Sequence, residues 1–165
     1  MKGVIIILPE RCLACKSCEI QCSLSHSPVD ELTLSNLMAN PPGIKVKQSK
    51  NLAVPIQCCH CEAAPCVTVC PSGAIIKDKK TSAIIVLKQL CIGCGSCEIV
   101  CPHGVPQVKS KRGGIIKCDF CFERLEKDQK PACVMGCPTG ALRFEVLENF
   151  FCEKIEGQKD EEHNP

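Results

Sequence analysis

The stretch Cys91-Ile92-Gly93-Cys94-Gly95-Ser96-Cys97-Glu98-Ile99-Val100-Cys101-Pro102 decides how this protein folds. It places four cysteines at the spacing C-x2-C-x2-C-x3-C and follows the last with proline. The two-residue gaps allow a tight loop to wrap three thiolates around three corners of a cubane iron–sulfur cluster, whereas the cysteine three residues further on points away. The spacing therefore predicts that three of these cysteines bind one cluster and that the fourth serves a neighbouring cluster.

Three more runs of four cysteines occur in the sequence. The first run repeats the quoted spacing, and the second and fourth each widen one gap but keep the C-x3-C ending. The four runs are Cys12, Cys15, Cys18 and Cys22; Cys58, Cys61, Cys66 and Cys70; Cys91, Cys94, Cys97 and Cys101; and Cys118, Cys121, Cys133 and Cys137. We expect all sixteen cysteines to be iron ligands of four 4Fe–4S clusters.

Structural zinc is the main alternative for paired C-x2-C motifs. A zinc site needs two separated pairs around one tetrahedral ion, and it gives no reason for a third cysteine two residues further on or for a recurring C-x3-C-P ending. Radical chemistry on S-adenosylmethionine is also disfavoured, because no C-x3-C-x2-C triplet occurs. The spacing thus favours clusters in which thiolates occupy every ligand position.

The composition favours a metal framework over a disulfide framework. The 165 residues include 18 Cys but no Trp or Tyr, so something other than a large aromatic core must hold the protein together. The segment 1–12 lacks an apolar region of signal-peptide length, a small-residue cleavage site and a twin-arginine pair, so we expect a cytoplasmic protein with reduced thiols. The longest apolar stretches, Val4 to Leu8 and Ala83 to Leu87, have the length of strands and are too short to span a membrane.

The net charge argues against nucleic acid as a partner. The formal charge of +2 counts the thiols as neutral. A cubane core held by four thiolates carries about −2, so four clusters bring the total to about −6. The lysines are scattered, and no basic run is interleaved with aromatic residues. We expect neither nucleic-acid binding nor a direct membrane span.

A second repeat surrounds the cysteines and indicates the fold. The pattern Cys-Pro-x-Gly begins at Cys70, Cys101 and Cys137. Proline ends the short helix that carries each C-x3-C pair, and glycine allows the backbone to turn back over the cluster. Strand-like segments flank the loops 77–81 and 111–114, as they do in β-hairpins. Short strands and one-turn helices around clusters are typical of an α+β, ferredoxin-like fold.

The sequence resembles the four-cluster ferredoxin-type subunits that serve molybdopterin oxidoreductases, hydrogenases and carbon monoxide dehydrogenases. The resemblance extends from about Pro9 to Leu147 and includes all sixteen cysteines of the runs. It implies that the first run pairs with the fourth and the second with the third. The implied ligand sets are Cys12, Cys15, Cys18 and Cys137; Cys118, Cys121, Cys133 and Cys22; Cys58, Cys61, Cys66 and Cys101; and Cys91, Cys94, Cys97 and Cys70.

The resemblance also implies a division into two ferredoxin-like domains, one inserted into the other. The outer domain comprises residues 1–57 plus 117–152 and contains the first and fourth runs. The inserted domain comprises residues 58–116 and contains the second and third runs. A polar tail follows at 153–165, unlike the spanning C-terminal helix of membrane-anchored formate dehydrogenase subunits.

The resemblance further bears on the partner. The segment from Leu24 to Val46 looks most like the iron–sulfur partner of anaerobic carbon monoxide dehydrogenase. We therefore expect that enzyme as the catalytic partner, with a downstream redox acceptor. Small electron-transfer subunits of tungsten or molybdenum aldehyde oxidoreductases and of hydrogenases are the alternatives.

Together these patterns predict an electron-transfer subunit that is not itself an enzyme, because full thiolate ligation leaves no vacant position for substrate. A hypothesis from another class is a structural or assembly subunit, in which clusters act as staples for a protein that lacks an aromatic core. Reversible reduction at low potential separates the two hypotheses. A stand-alone enzyme would instead need an incompletely ligated iron.

Two cysteines and two histidines outside the ligand positions are interpreted as bystanders, that is, as residues that do not bind iron. Ligation by Cys59 would shorten the first gap of its run, so we expect a free thiol close to a cluster. Cys152 follows two phenylalanines and is expected to be a small buried apolar residue. His60 and His103 adjoin cluster cysteines without occupying a ligand position, so they are expected either to lie next to ligands or to be exposed.

Overall fold

Short helices alternate with two-stranded sheets in the computed structural model, which describes residues 2–28, 33–50, 52–110 and 114–146. The elements are, in chain order, β1 (Gly3–Ile7), a 3-10 turn (Pro9–Arg11), α1 (Ser17–Ser25), α2 (Leu34–Ala39), β2 (Lys45–Ser49), β3 (Leu52–Ile56), α3 (Pro65–Thr68), β4 (Ile75–Lys77), β5 (Ile84–Val86), α4 (Ser96–Val100), β6 (Gln107–Ser110), β7 (Gly114–Ile116), α5 (Phe122–Glu126), α6 (Ala132–Met135) and β8 (Leu142–Val146). The predictions for Cys152 and for the polar tail fall outside the described residues.

The first and last described strands pair with each other. β1 and β8 are antiparallel, with Gly3 opposite Val146 and Ile7 opposite Leu142. Helix packing follows the same order, because α1 contacts α6 and α3 contacts α4. The first and fourth cysteine runs therefore lie side by side, and so do the second and third. This is the order that a nested arrangement predicts, although the division into two domains stays a prediction.

Both predicted hairpins are confirmed, and a third was not anticipated. β4 pairs with β5 through Ile75 and Val86, and β6 pairs with β7 across a register shift. The unanticipated hairpin joins β2 to β3 and includes Pro55 opposite Val46. A proline normally argues against a strand because it donates no ladder hydrogen bond, and it is tolerated here because each described sheet has only two strands and therefore only edges.

The helices that carry the C-x3-C pairs are short where proline follows the last cysteine. α3, α4 and α6 end before Pro71, Pro102 and Pro138 respectively. The residue before a proline is pushed out of the helical region, so each helix stops within about one turn. Ser23 stands in this position after Cys22, and α1 accordingly continues to Ser25. The predicted role of proline in ending these helices is confirmed.

The core is small and is built largely from cysteine and alanine. Among the described residues, nineteen apolar residues are buried, of which six are Cys and six are Ala. The largest side chains buried almost completely include Ile44, Ile84, Leu125 and Leu142. None of the described helices combines the length and the apolar character needed to cross a membrane.

Candidate metal centre

The four cysteine loops share one backbone feature. The residue immediately before the second cysteine has a positive φ in every run, with values of 54° at Ala14, 48° at His60, 67° at Gly93 and 66° at Phe120. This left-handed conformation is costly for residues other than glycine. It reverses the backbone between the first and second cysteines, which is how a two-residue gap turns both thiols towards one point.

The first run is joined by the last cysteine of the fourth run. Cys12, Cys15, Cys18 and Cys137 line one small cavity. Burial raises the pKa of Cys18 to about 11, and the neighbouring charge of Cys137 contributes to the rise. Cys15 lies at the exposed side of this group, and the Ser17 hydroxyl, 3.4 Å from its sulfur, lowers the pKa of its thiol.

The fourth run is joined by the last cysteine of the first run. Burial raises the pKa of the Cys118, Cys121 and Cys133 thiols, and the nearby charge of Cys22 adds to the rise in all three. Cys22 and Cys133 belong to one buried cluster together with Ile44 and Leu142. This group, which we call the deep group, lies further from the surface than the first.

The second and third runs exchange their last cysteines in the same way. Cys58, Cys61, Cys66 and Cys101 line a second small cavity. Burial raises the pKa of Cys97, and the charges of Cys91 and Cys94 add to the rise. The Ser96 hydroxyl lowers the pKa of Cys94, and the nearby charge of Cys70 opposes that shift.

The structure thus brings the sixteen predicted cysteines into four groups, each with three thiols from one run and one from another. Four convergent thiols are the donor set that a 4Fe–4S cluster requires, so the residues present fit this cofactor. The described cysteines are all free thiols. Cys59 is exposed on the rim of the second cavity, as expected for a bystander. Iron ligation by the individual cysteines stays a prediction.

Backbone amides point at several of these sulfurs. The N–H groups of His60 and Phe120 donate to Cys58 and Cys118 respectively, each over 3.4 Å, and Ala132 donates to Cys121 over 3.5 Å. Such donors stabilise negative charge on a thiolate and on a cluster that the thiolate binds. The tight loops therefore supply hydrogen bonds as well as ligands.

Two glutamates tie the cysteine helices to neighbouring strands. Glu19, which follows Cys18, accepts a hydrogen bond of 2.7 Å from the Val46 amide. Glu98, which follows Cys97, accepts one of 3.2 Å from the Val108 amide. Sequence reasoning missed both residues, yet the signal was present, because Ser-Cys-Glu-Ile occurs in both runs.

An ion pair links the end of α1 to the fourth cysteine loop. His26 Nε2 lies 3.0 Å from both carboxylate oxygens of Asp119, and this contact raises the pKa of His26 to about 11. The same carboxylate accepts a hydrogen bond of 2.9 Å from the Cys121 amide. Cys121 lies close enough to complete a three-residue cation site with them, but its thiol already belongs to the deep group. The pair therefore positions the loop.

The two histidines near the ligands differ in their surroundings. His103 is exposed, as expected for one of the two alternatives. His60 stacks on Phe120 with ring centres 4.5 Å apart, and burial together with the charge of Lys117 lowers its pKa to about 3. Its ring therefore stays neutral at physiological pH.

Gly43 marks the closest approach between the α2–β2 loop and the deep group. Its amide lies 3.4 Å from Cys22 Sγ, and a Cβ added at Gly43 would lie 2.6 Å from both the Cα and the nitrogen of Cys118. These are backbone atoms, which cannot rotate away. Glycine is required here by space alone, because its φ is not positive.

Replacing Gly43 by alanine should therefore displace the Cys118 loop. We expect Gly43→Ala to lose about 1–3 kcal/mol of stability, the usual cost of overpacking, and to bind less iron in the deep group. Thermal unfolding and iron content per protein molecule measure the two effects. Gly104→Ala is the comparison variant. Its added Cβ meets nothing within 4 Å, so it reports only the cost of alanine at a positive φ of 59° and should leave the iron content unchanged. A Gly43→Ala protein that binds as much iron as Gly104→Ala would contradict the prediction.

Comparison with known proteins adds independent information. Residues 49–147 match the family described as 4Fe-4S dicluster domain. The protein is 35% identical over 157 residues to the thiosulfate reductase electron transfer subunit PhsB of Salmonella typhi, covering 92% of the present sequence and 79% of that one. It is 34% identical over 147 residues to the B subunit of the anaerobic dimethyl sulfoxide reductase of Escherichia coli K12, with coverages of 85% and 71%. The polyferredoxin-like subunit of the aliphatic sulfonate oxidoreductase of Pyrococcus furiosus is 35% identical over 135 residues, with coverages of 81% and 70%.

Proposed function

Because this protein belongs to the 4Fe-4S dicluster family, we propose that it is the electron-transfer subunit of an oxidoreductase complex and is not itself catalytic. The observation that carries this proposal is the convergence of sixteen cysteines into four groups of four thiols. Such groups suit four 4Fe–4S clusters, which when bound supply one-electron transfer. The expectation of an iron–sulfur protein from the cysteine spacing agrees with the family.

We assign one cluster to each group of thiols. The proposed ligand sets are Cys12, Cys15, Cys18 and Cys137; Cys22, Cys118, Cys121 and Cys133; Cys58, Cys61, Cys66 and Cys101; and Cys70, Cys91, Cys94 and Cys97. The shared cavities and the mutual effects of the thiols on one another's pKa support these sets. The backbone amides of the cysteine loops stabilise negative charge on the cysteine sulfurs. The burial of Cys22, Cys121 and Cys133 limits the access of water to the deep group.

The proposed domain division follows from the same pairing. The outer ferredoxin-like unit comprises residues 1–57 and 117–152, and the inserted unit comprises residues 58–116. The β1–β8 pair and the contact of α1 with α6 support the outer unit. The contact of α3 with α4 supports the inserted one.

For the partner, we place first the catalytic subunit of an oxidoreductase that acts on a sulfur compound. The thiosulfate reductase, dimethyl sulfoxide reductase and sulfonate oxidoreductase relatives support this choice. Carbon monoxide dehydrogenase, expected from the segment 24–46, becomes the second candidate, because none of these three relatives names it. Aldehyde oxidoreductases and hydrogenases rank below both. A reducing compartment such as the cytoplasm remains our proposal for the location, in keeping with free thiols.

Anaerobic purification from the native cell tests this function. We expect about sixteen irons per protein molecule and a co-purifying catalytic subunit, since four cubanes contain that number. The dithionite-reduced complex should be reoxidised on addition of thiosulfate, dimethyl sulfoxide or an aliphatic sulfonate. Reduction of the oxidised complex by CO would instead favour the second candidate.

Two results would contradict the proposal. A content of about two to four zinc ions per molecule in place of iron would show that the protein does not bind iron–sulfur clusters. Four clusters that neither the co-purifying subunit nor dithionite reduces would favour the structural, stapling role. Cys59→Ser serves as the control variant, because this thiol lies outside the four groups and its loss should leave the iron content unchanged.

A further inference from the structure

His60 contacts the sulfurs of two different thiol groups. Its backbone N–H donates to Cys58 Sγ over 3.4 Å, within its own loop. Its side chain extends in the other direction, where Nε2 lies 3.7 Å from Cys118 Sγ. Cys58 and Cys118 belong to different proposed ligand sets, one in the inserted unit and one in the outer unit. His60 therefore bridges two neighbouring cluster sites.

The hydrogen bonds of the ring determine which nitrogen carries the proton. The Ile84 amide donates to His60 Nδ1 over 2.9 Å, so Nδ1 acts as an acceptor and holds no proton. A neutral imidazole then carries its proton on Nε2, which is the atom that faces Cys118. The ring therefore presents a donor to the sulfur.

The packing of the ring keeps this donor in place. His60 stacks on Phe120 with an interplanar angle of 22°, and Phe120 packs edge-on against Phe144 with ring centres 5.9 Å apart. Phe120 is only 4% exposed. The backbone of His60 holds a positive φ of 48°, so both ends of the residue are constrained.

We propose that His60 sets the reduction potential of the cluster bound by Cys118, by donating its Nε2–H to the Cys118 sulfur. The proposal rests on the ligand sets given under the proposed function. Reduction adds one electron, supplied by the partner subunit or by dithionite, and breaks no bond. A hydrogen-bond donor at the sulfur stabilises the additional negative charge, so it raises the potential.

Two substitutions separate the two ring nitrogens. Asparagine at position 60 keeps an acceptor near Nδ1 for the Ile84 amide but removes the donor near Cys118. Glutamine reaches further and places its amide nitrogen near the position of Nε2. We therefore expect His60→Asn to lower the potential of this cluster and His60→Gln to restore most of it.

The measurement is a redox titration of the purified complex monitored by electron paramagnetic resonance. The signal of this cluster is the one that Cys118→Ala removes. We expect His60→Asn to reduce the equilibrium constant for its reduction by up to about tenfold, equivalent to about 59 mV for a one-electron couple. His103→Asn is the matched control, because this exposed histidine also adjoins a cluster cysteine and should leave the potential unchanged.

A second measurement uses the unmodified protein. Electron–nuclear double resonance on reduced protein containing 15N-histidine should detect a weak nitrogen coupling to the signal of this cluster. The proposal is overturned if that coupling is absent, if His60→Asn leaves the potential unchanged, or if Asn and Gln lower it equally, which would indicate a packing role. A wild-type complex without the Cys118 cluster would instead overturn the ligand sets themselves.

Discussion

Replacing Cys22 by alanine should destroy the cluster bound by Cys118, Cys121 and Cys133, although these cysteines are about a hundred residues away in the sequence. Cys22 is buried among those thiols and raises the pKa of each of them. Alanine offers no ligand atom. The one described thiol outside the four groups, Cys59, lies at the cavity of Cys58, Cys61, Cys66 and Cys101 and not among the thiols of the deep group. The cluster held by the rest of the first run should survive.

The neighbouring cysteine of the same helix provides the matched control. Cys18 lies one helical turn before Cys22 and is equally buried, but its thiol belongs to the group of Cys137. Cys18→Ala should therefore remove a different signal. We expect Cys22→Ala to lose the signal that Cys133→Ala loses, and Cys18→Ala to lose the signal that Cys137→Ala loses.

Iron analysis and electron paramagnetic resonance of the reduced proteins measure these outcomes. Each variant should bind between about twelve and fifteen irons, depending on whether the site empties or keeps a three-iron cluster. If Cys22→Ala and Cys18→Ala lose the same signal, each run binds its own cluster and the exchange of cysteines between runs is wrong. Cys59→Ala should retain all four signals.

The local parts of the site follow from the sequence, because they depend on short-range covalent constraints. The C-x2-C loops, the helices ended by proline and the hairpins β4–β5 and β6–β7 are each specified within about a dozen residues. The repeated Ser-Cys-Glu-Ile in the first and third runs carried a further signal, which sequence reasoning overlooked. Its glutamate accepts a hydrogen bond from a neighbouring strand in both runs.

The contacts between runs have no such local signal. His26 and Asp119 are separated by 93 residues, and His60 and Cys118 by 58, so only the folded backbone brings each pair together. The β2–β3 hairpin was missed for a different reason, since Pro55 argues against a strand in the absence of tertiary information. The partner is harder still to predict, because a likeness confined to residues 24–46 reaches only α2 and the ends of α1 and β2 among the described elements, and these do not by themselves define a docking surface.

Removing the clusters should unfold most of this protein. The buried apolar side chains of the described residues are mostly cysteine and alanine, and three of the strands have only three residues each. Two-stranded sheets of that length are marginal in water without a hydrophobic face to pack on. Two of the three buried clusters of the core contain cysteines of the thiol groups, so metal binding and folding should be coupled.

The buried thiols strengthen this expectation. Burial raises the pKa of Cys66, Cys97, Cys121 and Cys133, so these groups would be neutral thiols in the absence of iron. Neutral thiols gain none of the bonding that four thiolates make to a cluster, and the small apolar core that remains supplies too little burial to offset the entropy of ordering the backbone.

Circular dichroism before and after anaerobic removal of iron with an oxidant and a chelator tests the coupling. We expect the cooperative thermal transition to disappear and to return on reconstitution with iron and sulfide. Titration of all 18 thiols after reduction controls for disulfide formation. An iron-free protein that still melts cooperatively within a few degrees of the loaded protein would show that its core folds without metal, because a shift of about 2–4 °C corresponds to only about 1 kcal/mol at this length.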